Sequence, residues 1–265
     1  MADLTGAVLY HGEPNGASLT VLAALAESGL EVACKPIDLL KGERHTIPGV
    51  TETVALAMGI EGEGPVLVIG GEAMTESVFL AQFFDDAAGG VGMQPSDAYR
   101  HWEMMMWCRQ MTERLSPAAA LLGTMAHAQQ VLHDMDAGTF DAVVASIAAP
   151  DLKARWQGLR DGAIDPAAVS DSHGKVDAAV LRCEKQLEDD RDWLMGDFSI
   201  ADLVTFAWLA GMQGLRPNAF AEAPKTEAWI ARVRARPSVQ AALARATVAD
   251  PLASWAPGPE INRWG

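Results

Sequence analysis

The chain has 265 residues, of which 49% are hydrophobic and 21% charged, a composition typical of a globular protein with one large domain or two modest ones. Its formal net charge of −15 disfavours nucleic acid and anionic membrane surfaces as partners, and no apolar run reaches the roughly 18 residues of a membrane span. The N-terminus lacks a secretory pattern, and Cys34, Cys108 and Cys183 are too far apart for a disulfide framework or a zinc site, so we expect a cytoplasmic protein without a bound metal.

The first predicted elements are a strand, a loop, a helix and a second strand. Val8 to Tyr10 form a short β-type run, and apolar residues recur at helical spacing from Leu19 to a helix-ending glycine at position 29. Glu31 to Asp38 predicts the second strand. This order in under forty residues predicts a parallel β-α-β unit with a right-handed crossover.

The loop before the first helix is a candidate anion site. A helix beginning near Ser18 would direct its unpaired amide groups back into the loop, and such a helix end favours an anion. Ser18 suits this position either as an N-cap or as a hydroxyl donor. The loop has no lysine and no GKS or GKT signature, which disfavours a nucleotide phosphate and makes a thiolate the better expectation.

A basic loop and a hairpin follow. Leu39 to His45 is polar and contains Lys41, Arg44 and His45, which are either solvated or in contact with a ligand. After a weakly helical stretch at 51–58, Pro65 to Thr75 predicts a hairpin with Gly-Gly at its tip. The acid and serine at positions 76 and 77 then precede an apolar helix whose first amide groups could hold a carboxylate.

The second half of the chain is predicted to be helical. A glycine-rich stretch at 85–96 marks the expected domain boundary, and 150–166 is expected to break the helices. Met104, Trp107 and Met111 repeat at helical spacing, as core residues or as one wall of an aromatic-substrate cleft. The S-x-x-D spacing of Ser199 and Asp202 predicts an N-terminal capping box.

This order of elements resembles the glutathione S-transferases over most of the chain. The resemblance implies an α/β plus all-α fold, with a thioredoxin-like β-α-β-α-β-β-α domain at 1–88, a helical domain at 96–249 and an extended tail at 250–265. Three local motifs support it. They are Gly62-Glu63-Gly64-Pro65-Val66-Leu67, similar to the family's G-x-V-P-x-L turn, the acid-serine pair Glu76-Ser77, and the capping box.

The opening loop resembles one branch of that family more closely. Tyr10 to Ser18 is two residues longer than the common bacterial Y-x-P-G-A-C-S form and resembles the YxxxPxxxSL segment of the bacterial lignin β-etherases. The stretch PDLKARWQGLRDG is also similar to a basic, tryptophan-containing stretch of that branch. The resemblance implies that glutathione thiolate displaces an aryloxide from the carbon next to an aryl ketone.

The resemblance also implies roles for individual residues. Ser18 or Asn15 would activate the thiol. A small aromatic molecule would be the second substrate. The enzyme would be a dimer, either of two copies of this chain or with a related chain. The glutathione contacts would be Lys41, Arg44, His45, Gly64, Pro65, Glu76 and Ser77. The substrate wall would include His11, Glu13, Met104, Trp107 and Met111.

Two other functions fit the same sequence. One is a general detoxifying glutathione transferase, or an isomerase of the maleylpyruvate type. The other is a non-catalytic subunit that completes a dimer with a different, active chain, because Ala17 and Gly64 depart from the family pattern. Turnover of chlorodinitrobenzene without cleavage of a guaiacyl ether would exclude the etherase. Glutathione binding with turnover by the isolated chain would exclude the non-catalytic subunit.

Overall fold

The N-terminal part of the molecule is built on a small mixed sheet. The computed structural model describes residues 4–45 and 65–253. Within these residues four strands pair in the order β2-β1-β3-β4. The expected helix at 51–58 and the Gly64 turn lie outside the described residues. The strands are Val8–His11 (β1), Ala33–Pro36 (β2), Val66–Ile69 (β3) and Glu72–Met74 (β4).

Strand pairing follows the sequence prediction. β1 runs parallel to β2, with Val8 opposite Ala33, and antiparallel to β3, with Leu9 opposite Leu67. β3 and β4 form the expected hairpin. Its tip needs glycine, because both glycines of the Gly-Gly turn have positive φ, 59° and 88°.

Helices α1, Gly16–Ser28, and α2, Ser77–Ala87, belong to this domain. α1 begins two residues before the predicted start, because Asn15 has extended backbone angles and is the N-cap residue. Ser18 is therefore the third residue of the helix, which excludes the N-cap alternative and leaves the hydroxyl-donor alternative. α1 is buried along most of its length, since the helical domain covers the side that faces away from the sheet.

The rest of the described chain is helical. Two π-helical turns, Met111–Leu115 and Thr124–Ala128, join successive helices. The predicted break at 150–166 is confined to 162–165, because Pro150, whose missing amide costs nothing in a first turn, begins a helix that ends at Asp161. No helix in the described ranges is long and apolar enough to cross a membrane. The helices are Ala98–Gln110 (α3), Ser116–Gly123 (α4), Gln129–Asp134 (α5), Ala137–Ser146 (α6), Pro150–Asp161 (α7), Pro166–Gln186 (α8), Ile200–Leu209 (α9), Met212–Leu215 (α10), Pro217–Phe220 (α11), Pro224–Arg234 (α12) and Pro237–Leu243 (α13).

The predicted capping box is confirmed at the start of α9. The buried Asp202 carboxylate accepts hydrogen bonds from the Ser199 amide at 3.0 Å, the Leu194 amide at 2.9 Å and Trp229 Nε1 at 2.8 Å. This one carboxylate thus joins the start of α9 to Trp229 of α12 and to Leu194 in the loop that precedes α9. The fold class is the expected one, a small sheet domain followed by a helical domain.

Two hydrophobic cores organise the molecule. The main core extends from α1 and the sheet into the helical domain without interruption. A satellite core lies among α5, α6 and α7, and Leu40, from the loop after β2, packs against it. The satellite core is Leu132, Phe140, Val143, Val144, Ile147, Leu152, Trp156 and Leu159.

Candidate active site

A cavity of about 570 Å³ lies where β1 ends. Its walls come from the loop after β1, the segment after β2, the second π-helical turn with α5, and the segment after α13. Two residues of the predicted substrate wall, His11 and Glu13, line it. The lining residues are His11, Gly12, Glu13, Pro36, Ile37, Asp38, Leu39, Leu40, Glu43, His127, Ala128, Val131, Arg245, Thr247 and Val248.

Ser18 lies behind the wall that Gly12 forms. The Ser18 hydroxyl accepts a hydrogen bond from the Gly12 amide at 3.0 Å, and the residue is 5% exposed. Within residues 4–45 and 65–253 no other hydrogen bond of this hydroxyl is present. The hydroxyl proton therefore remains available for a ligand atom beside Gly12.

The side chain of Asn15, the alternative candidate, is directed towards the C-terminal segment. Its Nδ2 donates to the Pro251 carbonyl at 3.0 Å, and the residue is 1% exposed. This bond joins the loop to the C-terminal segment, 236 residues later in the chain. The geometry therefore favours Ser18 over Asn15 as a donor to a bound sulfur.

His11 is almost completely buried, with 2% of its surface exposed. Its Nδ1 lies 2.7 Å from the Gly12 carbonyl oxygen. A carbonyl only accepts, so Nδ1 must carry the proton. Burial lowers the pKa of the His11 imidazole, and the nearby Arg245 charge lowers it further, while the bond to Gly12 and the Glu13 charge oppose these effects.

The three predicted basic residues have different environments. Lys41 is exposed and forms an ion pair with Asp38 at 2.9 Å. Arg44 is 3% exposed, and its charge acts on the Glu76 carboxyl group. His45 is half-buried. The structure thus brings Arg44 and Glu76 together, while the Lys41 side chain extends towards solvent.

Glu76 has a strained backbone at the start of α2. Its φ is 70° and its ψ 109°, a conformation that a residue with a side chain rarely adopts. Burial raises the pKa of the Glu76 carboxyl group, and the Arg44 charge opposes that rise. Ser77 follows as the first residue of α2 and is 2% exposed, and Pro65 is buried directly before β3.

Met104, Trp107 and Met111 do not line this cavity. They expose 0%, 4% and 2% of their surfaces and belong to the main core. The Trp107 indole N–H donates a hydrogen bond to the Thr205 hydroxyl at 2.9 Å, so this buried polar group has a partner. The structure therefore places them in the core, the first of the two alternatives for this repeat, and not in the wall of this cavity.

Sequence reasoning missed the C-terminal wall of the cavity. Arg245 is the one arginine or lysine among the described lining residues. The Glu13 carboxylate accepts from the Thr247 amide at 3.0 Å and also from its hydroxyl. No periodic pattern or motif marks a contact between residues 234 positions apart, so only the fold reveals it.

The comparisons with known proteins agree with this architecture. Residues 143–237 match the family model described as glutathione S-transferase, C-terminal domain. Protein LigF of Sphingobium sp. (strain NBRC 103272 / SYK-6) is 26% identical over 243 residues, which span 88% of this chain and 91% of LigF. The crystal structure of β-etherase LigF covers 91% of this chain and 99% of its own, with a TM-score of 0.81 and 24% identity.

More distant solved structures share the fold. Gtt2 of Saccharomyces cerevisiae aligns with a TM-score of 0.64 and 22% identity, over 89% of this chain and 100% of its own. A glutathione transferase family member from Pseudomonas fluorescens pf-5 was solved with two glutathione molecules bound. It aligns with a TM-score of 0.62 and 17% identity, over 89% of this chain and 92% of its own. The chain therefore has the glutathione S-transferase fold, contains a match to that family's C-terminal domain, and is similar over most of its length to the β-etherase LigF.

Proposed function

We propose that this enzyme is a glutathione-dependent β-etherase that cleaves the β-aryl ether (β-O-4) bond of lignin-derived diaromatic ketones. The observation that carries the proposal is the likeness to LigF, which is 26% identical over 88% of this chain and 91% of LigF. The likeness includes the domain that supplies the helical wall of the cavity, so it covers both sides of the candidate site.

In this proposal the first domain holds glutathione. Arg44, in the segment after β2, and Glu76, at the start of α2, are opposite charges that act on each other, and they suit the carboxylate and amine of a peptide. Ser77 adds the free amides of the α2 N-terminus. Pro65, Lys41 and His45 are proposed as further contacts, together with Gly64, which lies outside the described residues.

Glutathione supplies a thiol, which becomes a strong nucleophile when it is ionised. Ser18 donates its free hydroxyl hydrogen to the sulfur, while its oxygen is held by the Gly12 amide. The N-terminus of α1 adds a positive electrostatic potential at the same place. Asn15 is assigned a positioning role, through Pro251, rather than contact with the sulfur.

The cavity suits an aromatic second substrate. Its walls contain the apolar side chains of Ile37, Leu39, Ala128, Val131 and Val248, on both domains. Its volume of about 570 Å³ lies within the range of small-molecule sites. His11, Glu13 and Arg245 supply polar groups on one side, where the reacting bond would lie.

The test is an assay of the purified chain alone with glutathione and a fluorescent or chromogenic guaiacyl ether of an aryl ketone, using each enantiomer. Release of the free phenol with loss of one glutathione per ether supports the proposal. Turnover of chlorodinitrobenzene without ether cleavage would identify a general detoxifying transferase instead.

The same assay tests the non-catalytic alternative. If the chain binds glutathione in calorimetry but cleaves neither compound, it is a subunit that needs an active partner chain. Turnover by the isolated chain would exclude that role.

We propose further that the working enzyme is a dimer, homomeric or with a related chain. Phe79, Tyr99 and Trp102 are 60%, 64% and 55% exposed, and large apolar side chains at the surface often mark an interface. Sedimentation velocity measures the state directly, and a monomer at the assay concentration would contradict the proposal.

A further inference from the structure

We infer that His11 is the acid–base residue of this site, and that its Nε2 takes the thiol proton and later returns it to the departing aryloxide. The inference rests on the proposed function and assigns a proton carrier to it. It goes beyond the wall position that the sequence suggested for His11.

The geometry leaves Nε2 as a lone-pair acceptor. Nδ1 donates to the Gly12 carbonyl at 2.7 Å, so in the neutral imidazole the proton resides on Nδ1 and Nε2 is unprotonated. Within residues 4–45 and 65–253 no hydrogen-bond partner is found for Nε2. The residue exposes 2% of its surface and lines the cavity.

The hydrogen bond to Gly12 also orients the ring. Gly12 forms the same wall, and its amide holds the Ser18 hydroxyl at 3.0 Å. One glycine therefore positions both side chains, His11 through its carbonyl and Ser18 through its amide. A thiol bound beside Gly12 meets a hydrogen-bond donor and a proton acceptor together.

Burial, more than the surrounding charges, favours the neutral form of the ring. Burial is the main cause of the lowered pKa of His11, and the Arg245 charge acts in the same direction. Glu13 opposes them, but its carboxylate is held by the backbone and side chain of Thr247. The charged or titratable groups that line the cavity with His11 are Glu13, Asp38, Glu43, His127 and Arg245.

Ser18 cannot fill this role. A neutral hydroxyl is too weak a base to take a thiol proton, and as a donor it stabilises the thiolate without removing that proton. His11 has the free acceptor. We therefore assign stabilisation of the sulfur to Ser18 and proton transfer to His11.

In the proposed reaction His11 takes up one proton and returns it, so the residue is unchanged at the end of the cycle. The S–H bond breaks and Nε2 gains the proton, giving an imidazolium with both nitrogens protonated. The sulfur then forms a bond to the β carbon while the carbon–oxygen bond breaks and the aryloxide leaves with the electron pair. The imidazolium, whose lowered pKa makes it a good acid, returns the proton, so thiol and ether give thioether and phenol.

The test replaces His11 with asparagine. In His11→Asn the side-chain amide can still donate to the Gly12 carbonyl, but no group corresponds to Nε2. The control is His133→Asn, because His133 is an exposed histidine whose Nδ1 also lies near a backbone carbonyl, at 3.4 Å from that of Arg160. Thermal unfolding first checks that both variants fold.

The main measurement is ionisation of bound glutathione without the second substrate, followed by the ultraviolet absorbance of the thiolate as pH is varied. We expect the wild type and His133→Asn to form thiolate near neutral pH and His11→Asn to require a higher pH. In ether cleavage we expect kcat/KM of His11→Asn to fall by about 10²-fold to 10⁴-fold, the range for one acid–base group. Wild-type thiolate formation in His11→Asn would overturn the inference.

A second measurement uses only the wild type. Calorimetry in buffers of different ionisation enthalpy counts the protons released when glutathione binds near neutral pH. The negative thiolate beside the ring stabilises the imidazolium, so transfer to His11 predicts thiolate formation with almost no proton released. Release of about one proton per site would overturn the inference even if His11→Asn did not fold. Wild type that ionises glutathione through His11 but cleaves no ether would refute the proposed function and leave the role of His11 intact.

Discussion

Ser18 and Asn15 lie three residues apart, and their hydrogen bonds predict different roles for them. Ser18 is bonded within the cavity wall, to Gly12, while Asn15 is bonded to the C-terminal segment. We expect Ser18→Ala to lower kcat/KM by about 10-fold to 1,000-fold, the order of the loss when one catalytic hydrogen-bond donor is removed. Steady-state kinetics with glutathione varied provide the measurement. Unchanged kinetics in Ser18→Ala, with a large loss in Asn15→Ala, would reverse the assignment.

Asp202 is a buried acid whose titration affects stability. Burial raises its pKa to about 6, above the ordinary value of about 3.9, although four donated hydrogen bonds act in the opposite direction. Between these two values the folded state binds more protons than the unfolded state. The contribution of Asp202 to stability is therefore complete at acid pH and decreases as the pH rises through about 6.

This sign can be measured by comparing Asp202→Asn with the wild type in urea unfolding at several pH values. We expect the stability advantage of the wild type to shrink as the pH rises from about 4 to about 6. Asp136→Asn is a control of opposite sign, because hydrogen bonds from Thr139 lower the pKa of that exposed N-cap carboxyl group. There the wild-type advantage should be lost as the pH falls. A constant difference at Asp202 would contradict the prediction.

At the scale of elements, α1 is positioned by a close contact with α9. Gly16, the first residue of α1, has a φ of 46°, and a Cβ at this position would lie 2.7 Å from a carbon of the Trp208 ring. Trp208 is completely buried, so its ring cannot move aside without disturbing the main core. The approach of these two residues fixes where the helix that carries Ser18 begins.

We expect Gly16→Ala to destabilise the protein by about 2–4 kcal/mol, combining overpacking with an unfavourable positive φ. Gly29→Ala separates the two effects, since Gly29 has a φ of 67° with no atom near its missing Cβ. That variant should lose only about 1 kcal/mol. Chemical unfolding of both proteins measures the difference, and equal losses would mean that the Trp208 contact adds nothing.

The helices α6 and α7 support the loop that carries Arg44. Leu40 packs against their satellite core, and a Cβ on Gly42 would lie 2.6 Å from a Val143 methyl carbon. The loop therefore rests on the helical domain through the side chain of Val143. Because Arg44 lies two residues beyond this contact, we expect the satellite core to affect glutathione affinity as well as stability.

Val143→Ala tests this support, with Val144→Ala as a matched control. The two valines are 8% and 9% exposed in the same core, so truncating either leaves a similar void. Each should lower stability by about 1–3 kcal/mol, the range of small core truncations. We expect only Val143→Ala to raise the KM for glutathione, by about threefold to tenfold, equivalent to roughly 1 kcal/mol of binding. Equal KM values would exclude a supporting role for this contact.

At the scale of the whole molecule, the sequence predicted what is local and missed what is distant. The β-α-β order, the Gly-Gly hairpin and the capping box at Ser199 all follow from short-range patterns with a physical cause, and the structure confirms them. The repeat of Met104 and Met111 is equally clear, but helical spacing marks a face without saying what covers it. The cavity wall at Arg245 depends on contacts between the two ends of the chain, which no local pattern encodes.

Those distant contacts join the first loop of the protein to its last described segment. Glu13 bonds Thr247, Asn15 bonds the Pro251 carbonyl, and Leu252 is 6% exposed within the main core. The segment after α13 is thereby held over the cavity, although it has no regular structure of its own beyond turns. Its attachment depends on a few hydrogen bonds and one buried leucine, so it can detach at a lower free-energy cost than global unfolding.

We expect Asn15→Ala to weaken this attachment, because the Pro251 carbonyl loses its donor. The KM for the aromatic substrate should rise about threefold to tenfold, corresponding to roughly 1 kcal/mol for one hydrogen bond, while the pH dependence of thiolate formation stays that of the wild type. Leu252→Ala should reproduce the rise in KM by a different route, since it removes the buried anchor of the same segment. Hydrogen exchange of the amides at 245–252 reports the attachment directly. Faster exchange in both variants with an unchanged KM would mean that the segment covers the cavity without contributing to substrate binding.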